Sequence, residues 1–210
     1  MTVQYNVKAD VLDITQDNPR KEDIFFVDTN VWFWFSYTKA STVNSSRSRY
    51  QVKDYPSYIN KTLQNKSQLF CCGLSLMELI HNIERAEREI DIKRRLISPQ
   101  TRPKEYRHNY PKQRQNVVQE IQTACQLVQN VANELNLAIE PQTTNNAILR
   151  MSTQLLDGYD LLYLEAMQKG NITNIITDDG DFVTVPNIRV FTSNYNVIQA
   201  AKQQNKLIQR

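Results

Sequence analysis

Short apolar runs alternate with longer amphipathic segments along most of the chain. Runs rich in β-branched and aromatic residues predict strands at 24–27, 69–72, 172–176 and 188–191, with a weaker candidate at 137–139. Helical spacing predicts helices at 31–37, 57–66, 75–96, 112–136 and 157–170, and a last one from Asn194. Because strands and helices alternate, we expect a Rossmann-like α/β fold with three layers, α/β/α, around a central, mostly parallel sheet.

The helix predicted at 112–136 has a regular apolar stripe. Its members recur at alternating intervals of four and three residues: Val117, Ile121, Ala124, Val128, Val131 and Leu135. This spacing is typical of a helix face that packs on a sheet. A groove for a partner protein, or the seam of a homodimer, is the alternative.

The remaining segments indicate one domain with additions. Residues 38–54 are rich in Ser, Thr and Arg without periodicity, and 98–112 contains three prolines, so both are expected to be loops or insertions. The polar residues 1–23 hold no apolar signal-peptide core, and the longest apolar run, 31–35, is too short to span a bilayer. We therefore expect a cytoplasmic protein that does not contact a membrane.

Composition excludes several classes of site. The 210 residues include four glycines, and no two lie close enough to form a GxGxxG or Walker-A loop. The three cysteines, Cys71, Cys72 and Cys125, are odd in number and form no CxxC. They are expected to be reduced core residues rather than disulfides or zinc ligands.

Acidic residues follow the predicted strands, either directly or in the first turn of the next helix: Asp28, Glu78, Asp160, Asp178, Asp179 and Asp181. In a parallel sheet these positions meet at one edge. Several converging carboxylates repel one another, so they must take up protons or bind a cation. Oxygen donors without His or Cys favour Mg²⁺ or Mn²⁺, which suits phosphoryl chemistry. Taken singly, each acid is equally explained as a helix cap or a turn residue.

Two stretches concentrate positive charge. Residues 93–114 carry eight basic side chains against one acid, and residues 39–66 carry six against one. Basic segments with interleaved tyrosines suit the phosphates and bases of a nucleic acid, although a solvated loop is the alternative. The candidate nucleic-acid contacts are Lys93, Arg94, Arg95, Arg102, Lys104 and Arg107.

Four segments, taken in order, resemble the motifs of the PIN-domain nuclease family. Phe26-Val27-Asp28-Thr29-Asn30 resembles the family's opening hydrophobic-Asp-Thr-Asn motif, and Ser75-Leu76-Met77-Glu78 resembles its helix-borne second acid. Tyr159-Asp160-Leu161-Leu162 resembles the third acid, which begins an apolar helix. Thr177-Asp178-Asp179-Gly180-Asp181-Phe182 resembles the closing Thr-x-Asp-x-Asp-Phe.

This resemblance implies a single PIN-like domain with ribonuclease activity on single-stranded RNA. It implies one or two Mg²⁺ or Mn²⁺ ions bound by four acids: Asp28, Glu78, Asp160 and Asp179. Asp181 would be a further ligand. Asn30 and Thr177 would position these carboxylates through hydrogen bonds. The choice of RNA over DNA follows from the resemblance alone. The expectation of an inhibitor protein of the antitoxin type as a partner also follows from it alone.

The chain departs from compact members of that family. It adds an N-terminal extension, 1–23, and basic insertions at about 38–54 and 93–114. A catalytically silent RNA-binding module on the same fold is one alternative. A haloacid-dehalogenase-like phosphatase is another, but that family requires Asp-x-Asp and the third position here is Asn30.

Overall fold

The central sheet is parallel throughout. The structure, a computed structural model, describes residues 3–43 and 50–210. Within these ranges the strands pair in the order β1-β6-β5-β2-β3-β4, and every pair is parallel. The strands are β1 Asp10–Asp13, β2 Ile24–Val27, β3 Gln68–Cys72, β4 Asn133–Leu135, β5 Asn174–Ile176 and β6 Arg189–Thr192.

Helices cover both faces of this sheet. They are α1 Thr29–Ser36, α2 Ala40–Val43, α3 Gln51–Gln64, α4 Gly73–Lys93, α5 Pro103–Asn109, α6 Pro111–Val131, α7 Pro141–Arg150, α8 Gly158–Lys169 and α9 Tyr195–Gln203, with a 3-10 helix at Gly180–Thr184. The three-layer α/β/α architecture predicted from the alternation of strands and helices is therefore confirmed.

The alternation of side chains along β2 divides the core into two. Phe25 and Val27 pack on one face, beneath α1, α3, α4 and α6, whereas Phe26 packs on the other, beneath α8, α9 and the 3-10 helix. All three side chains are fully buried. Because successive residues of a strand point to opposite faces, a strand between two helical layers is apolar on both sides.

The strand order places one crossover beside β2. The chain passes from β2 to β3 and β4 on one side, then returns to β5 and β6 on the other. In open α/β sheets, sites form outside the carboxyl ends of the strands where the order reverses in this way. Residues that directly follow β2 and β5 are therefore brought to the same rim, which is the edge of the sheet formed by the carboxyl ends of its strands.

Several sequence-based expectations about elements are wrong. Residues 137–139 form no strand, and β4 lies just before them. The region 98–112 contains α5, and the last residues of 38–54 begin α3, while 44–49 lie outside the described residues. Pro103 and Pro111, two of the three prolines that suggested a break, each occupy the first position of a helix, where the missing N–H costs no hydrogen bond, so they are helix starts.

The apolar stripe of α6 packs within the chain. Val117, Ala124 and Val128 are buried, and the helix packs mainly against α4, α1 and α5, with Ala124 and Val128 in the same core cluster as Phe25 and Val27 of β2. Leu135 belongs to β4, so the stripe ends one strand earlier than predicted. The three cysteines are unpaired, and Cys71 and Cys72 are buried. In the described ranges, the helices are all too short or too polar to cross a bilayer.

Candidate functional site

Asp28 is fixed at the carboxyl end of the central strand. Its backbone N–H donates to the carbonyl of Ile176 at 3.0 Å, and its own carbonyl accepts from the N–H groups of Val31 and Trp32 at 3.1 Å. Residue Asp28 is 3% exposed. The carboxylate is therefore held at the rim by a backbone that is bonded to β5 on one side and to α1 on the other.

Thr177 connects Asp28 to the loop after β5. Its hydroxyl donates to Oδ2 of Asp28 at 2.6 Å and accepts the N–H of Asp179 at 2.9 Å. Oδ1 of Asp179 in turn accepts the N–H of Asp181 at 2.8 Å, which caps the 3-10 helix. This chain of hydrogen bonds fixes the loop relative to β2. The Asn30 side chain forms no hydrogen bond with these acids in the described part of the chain.

Glu78 reaches the same rim from α4. The hydroxyl of Tyr163, on α8, donates to Oε2 of Glu78 and lies 2.9 Å from the hydroxyl of Thr29. Tyr163 is fully buried. It therefore joins three elements on both sides of the sheet and limits the rotamers open to Glu78.

Asp160 completes the rim from the first turn of α8. The side chain of Asp157 caps this helix by accepting the N–H groups of Tyr159 and Asp160 at 2.9 and 3.1 Å. Residue Asp160 is 9% exposed. The cap explains Asp157 as a helix-start residue, but it leaves the carboxylate of Asp160 facing the other acids.

The acids at this rim oppose one another's ionisation. Burial raises the pKa of Asp28 to about 7 against the Thr177 hydrogen bond, with the charges of Asp179 and Glu78 adding to it. Burial raises the pKa of Asp160 to about 9, and the charges of Asp28, Asp157, Asp179 and Glu78 add to the effect. Without a cation, Asp160 is therefore mainly protonated at neutral pH, and Asp28 is close to half protonated.

Other buried acids of the protein are compensated differently. Four have a cationic partner at 2.5–2.8 Å: Asp17 and Asp23 with Arg210, Glu87 with Lys39, and Glu165 with Arg150. A fifth, Asp91, accepts a hydrogen bond from the Tyr106 hydroxyl at 2.6 Å. Asp28 and Asp160, by contrast, form no ion pair with any described residue. The buried carboxylates at the rim therefore lack a positively charged partner among the described residues, whereas four of the other five buried acids have one.

The donor chemistry fits a hard divalent cation. Carboxylate oxygens, without His or Cys, are the ligands that Mg²⁺ and Mn²⁺ prefer. Among the residues described, no three acidic, histidine or cysteine side chains already stand together as a complete metal-binding group. Mg²⁺ keeps several waters and binds proteins through one or two carboxylates, so separate carboxylates around a common rim still suit it.

Asp178 belongs to the same loop but turns away from the rim. Its carboxylate accepts hydrogen bonds from Tyr55 at 2.7 Å, Tyr50 at 3.0 Å and Gln51 at 2.5 Å. Burial raises the pKa of Asp178, and these three donors oppose the shift. The residue fastens the loop to the start of α3.

Tyr5 lies against this loop from the N-terminal segment, which sequence patterns did not associate with the site. A Cβ atom at Gly180 would lie 2.3 Å from Cζ and Oη of the Tyr5 ring, so the ring occupies the space that the glycine leaves. Burial raises the pKa of Tyr5, and the charges of Asp181, Asp179 and Asp178 raise it further. The contact spans almost the whole chain, and no local pattern signals it.

The predicted basic contacts separate into two groups. At about 1.5 Å per residue, Lys93 lies about 22 Å along α4 from Glu78, and Arg94 and Arg95 follow it at that far end. The other three lie on α5 or directly before it: Arg102 precedes the helix, Lys104 is in its first turn and Arg107 is in its last turn. Arg102 pairs with Glu105 at 2.8 Å, and its side chain is 80% exposed.

Comparison with known proteins gives no family for the chain. It matches no protein-family model and no curated protein.

Proposed function

We propose that this protein is a metal-dependent phosphodiesterase, and specifically a ribonuclease. The observation that carries the proposal is the pair Asp28 and Asp160, which are buried beside further carboxylates and have no cationic partner among the described residues. Acids in this state concentrate at functional sites. The four segments that resemble PIN-domain motifs support RNA as the substrate.

The residues of the rim have different tasks. Asp28 and Asp160 provide the buried carboxylates, and the half-buried Glu78 and Asp179 flank them. Thr177 holds Asp28 through its hydroxyl, as described above. A divalent ion held by these carboxylates would lower the pKa of a bound water and offset the charge that develops on the phosphate. The hydrogen bonds that fix the carboxylates would keep them in place for such an ion and its substrate.

The test uses labelled single-stranded RNA with Mn²⁺, with Mg²⁺ and with EDTA. We expect cleavage with either metal and none in EDTA. Asp28→Asn and Asp160→Asn should each lower the rate by more than about a hundredfold, because each removes a carboxylate from the rim. The control is Asp10→Asn, the same chemical change on the exposed edge strand β1, which should cleave like the wild type. Cleavage by both rim variants at the wild-type rate would exclude this site.

A catalytically silent RNA-binding module is the second candidate. It is favoured by the absence, in the described ranges, of a complete metal-binding group. The same experiment separates the two: a silent module binds RNA and releases no products, whether or not Mn²⁺ stabilises its fold.

A further inference from the structure

A small cationic pocket lies between α4 and α5. Its volume is about 100 Å³, and it is lined by His81, Glu84, Arg85, Arg88, Pro103 and Arg107. The nucleic-acid contacts predicted from the sequence begin at Lys93, so they do not include Arg85 and Arg88. The pocket exists because α5 folds back against α4 after the loop at 94–102.

The single acid of the pocket is already neutralised. Glu84 pairs with Arg107 at 3.0 Å and with Arg114, on α6, at 3.9 Å, and its side chain is 13% exposed. Arg88 donates one hydrogen bond to the carbonyl of Thr101 at 3.1 Å, which leaves other guanidinium donors available. The three lining arginines and one glutamate leave the pocket with an excess of positive charge.

The pocket lies on the face of α4 that carries Glu78. Arg85 follows Glu78 by two helical turns, about 10 Å along the axis, and residues seven apart lie on the same face of a helix. His81, which is exposed, lies between them. A strand running along this face would pass from the acidic rim directly over the pocket.

We propose that this pocket binds a backbone phosphate of the nucleic acid whose cleaved bond lies at the acidic rim. Arginine forks match phosphate oxygens in pairs, and a cavity of this size accommodates one phosphate group. The carboxylates of the rim repel phosphates wherever no metal ion neutralises them. The strand therefore needs positively charged side chains elsewhere that bind its phosphates. The ligand is a nucleic-acid phosphate only if the rim acts on nucleic acid, so the proposal rests on the proposed function.

The test measures binding apart from cleavage. Anisotropy of a labelled single-stranded oligoribonucleotide is recorded in EDTA over a series of salt concentrations. Arg85→Gln/Arg88→Gln should weaken binding about tenfold or more and lower the slope of log K against log salt by about 0.7, the value for the one phosphate contact that is lost. Arg85→Gln alone, at an exposed position, gives half the slope change and guards against a folding defect at Arg88.

Two matched pairs complete the design. Arg20→Gln/Lys21→Gln removes the same charge from exposed positions before β2, at the opposite edge of the sheet, and should leave the slope unchanged. Arg94→Gln/Arg95→Gln tests the far end of α4. If that pair lowers the slope and the Arg85 variants do not, the pocket is not the phosphate site. Binding through the pocket without cleavage in Mn²⁺ would refute the nuclease and leave the pocket standing.

Discussion

Replacing Asp160 by asparagine should make the metal-free protein more stable. The folded state raises the pKa of this carboxyl to about 9, whereas its ordinary value is 3.8. At pH 7 the folded protein therefore keeps a proton on Asp160 that the unfolded chain releases. Taking up that proton about three units above the ordinary pKa costs about 4 kcal/mol, at about 1.4 kcal/mol per unit.

Asparagine has the shape of aspartate without this cost. The free energy of unfolding of Asp160→Asn in EDTA at pH 7 should therefore rise by at most about 4 kcal/mol. For a chain of this size, each kcal/mol corresponds to about 2–4 °C in Tm. The gain should shrink toward pH 4, because there both folded and unfolded carboxyls carry the proton. Its sign follows from linkage: the folded state binds more protons between about pH 4 and 9, so wild-type stability falls as pH rises.

Mn²⁺ should reverse the order of the two proteins. A cation that binds only the folded state adds about 4.1 kcal/mol at a thousand times its Kd and more above that, which exceeds the largest gain expected of the variant, and the variant lacks one of the carboxylates that attract the cation. Thermal unfolding with EDTA and with Mn²⁺ measures both effects, and Asp10→Asn serves as the exposed control. If Asp160→Asn is no more stable than the wild type in EDTA, the folded state does not raise the pKa of Asp160, and the predicted free-energy cost is wrong.

Two further changes test contacts that surround the rim or stabilise the fold. Gly180→Ala should cost about 1 kcal/mol because its Cβ displaces the ring of Tyr5, and the cost should vanish in a Tyr5→Ala background, as a double-mutant cycle in urea would show. Arg210→Ala should cost about 3–5 kcal/mol, because it leaves Asp17 and Asp23 buried without a cation. Burial raises the pKa of Asp17, but hydrogen bonds from Arg210 and from a tyrosine outweigh it and hold the pKa below its usual value. The stabilisation is therefore present at neutral pH and is lost as pH falls below the ordinary value of 3.8. The cost of Arg210→Ala, measured by urea unfolding, should shrink in that acidic range. A cost that does not change with pH would contradict the ion pairs.

The sequence predicts the centre of this fold better than its edges. β2 and β5 are buried on both faces, so they appear as continuous apolar runs that end at a polar residue. β1 pairs through backbone groups with β6, a strand almost at the other end of the chain, and its sequence, Asp-Val-Leu-Asp, gives only a weak pattern. An edge strand depends on a neighbour that is distant in sequence, and no local signal identifies it.

The same division applies to the site. Asp28 and Asp160 lie beside elements that the pattern identifies, so a parallel sheet is enough to bring them to one rim. Tyr163 lies one helical turn after Asp160, and its link to Glu78 could have been suspected from that spacing. The Tyr5 contact depends on how the N-terminal segment crosses the 3-10 helix, which only the folded chain determines.

The choice of partner for each buried acid is the strongest argument about this rim. The chain has 25 basic residues against 22 acids, so cations were available to neutralise every buried carboxylate. The basic side chains instead pair with buried acids far from the rim, as Arg210 does with Asp17 and Asp23. At the rim the chain places carboxylate beside carboxylate, at a cost in stability that proton uptake or a bound cation would relieve. Such a local conflict with stability is expected where function requires it, and a cation bound there would convert the cost into affinity.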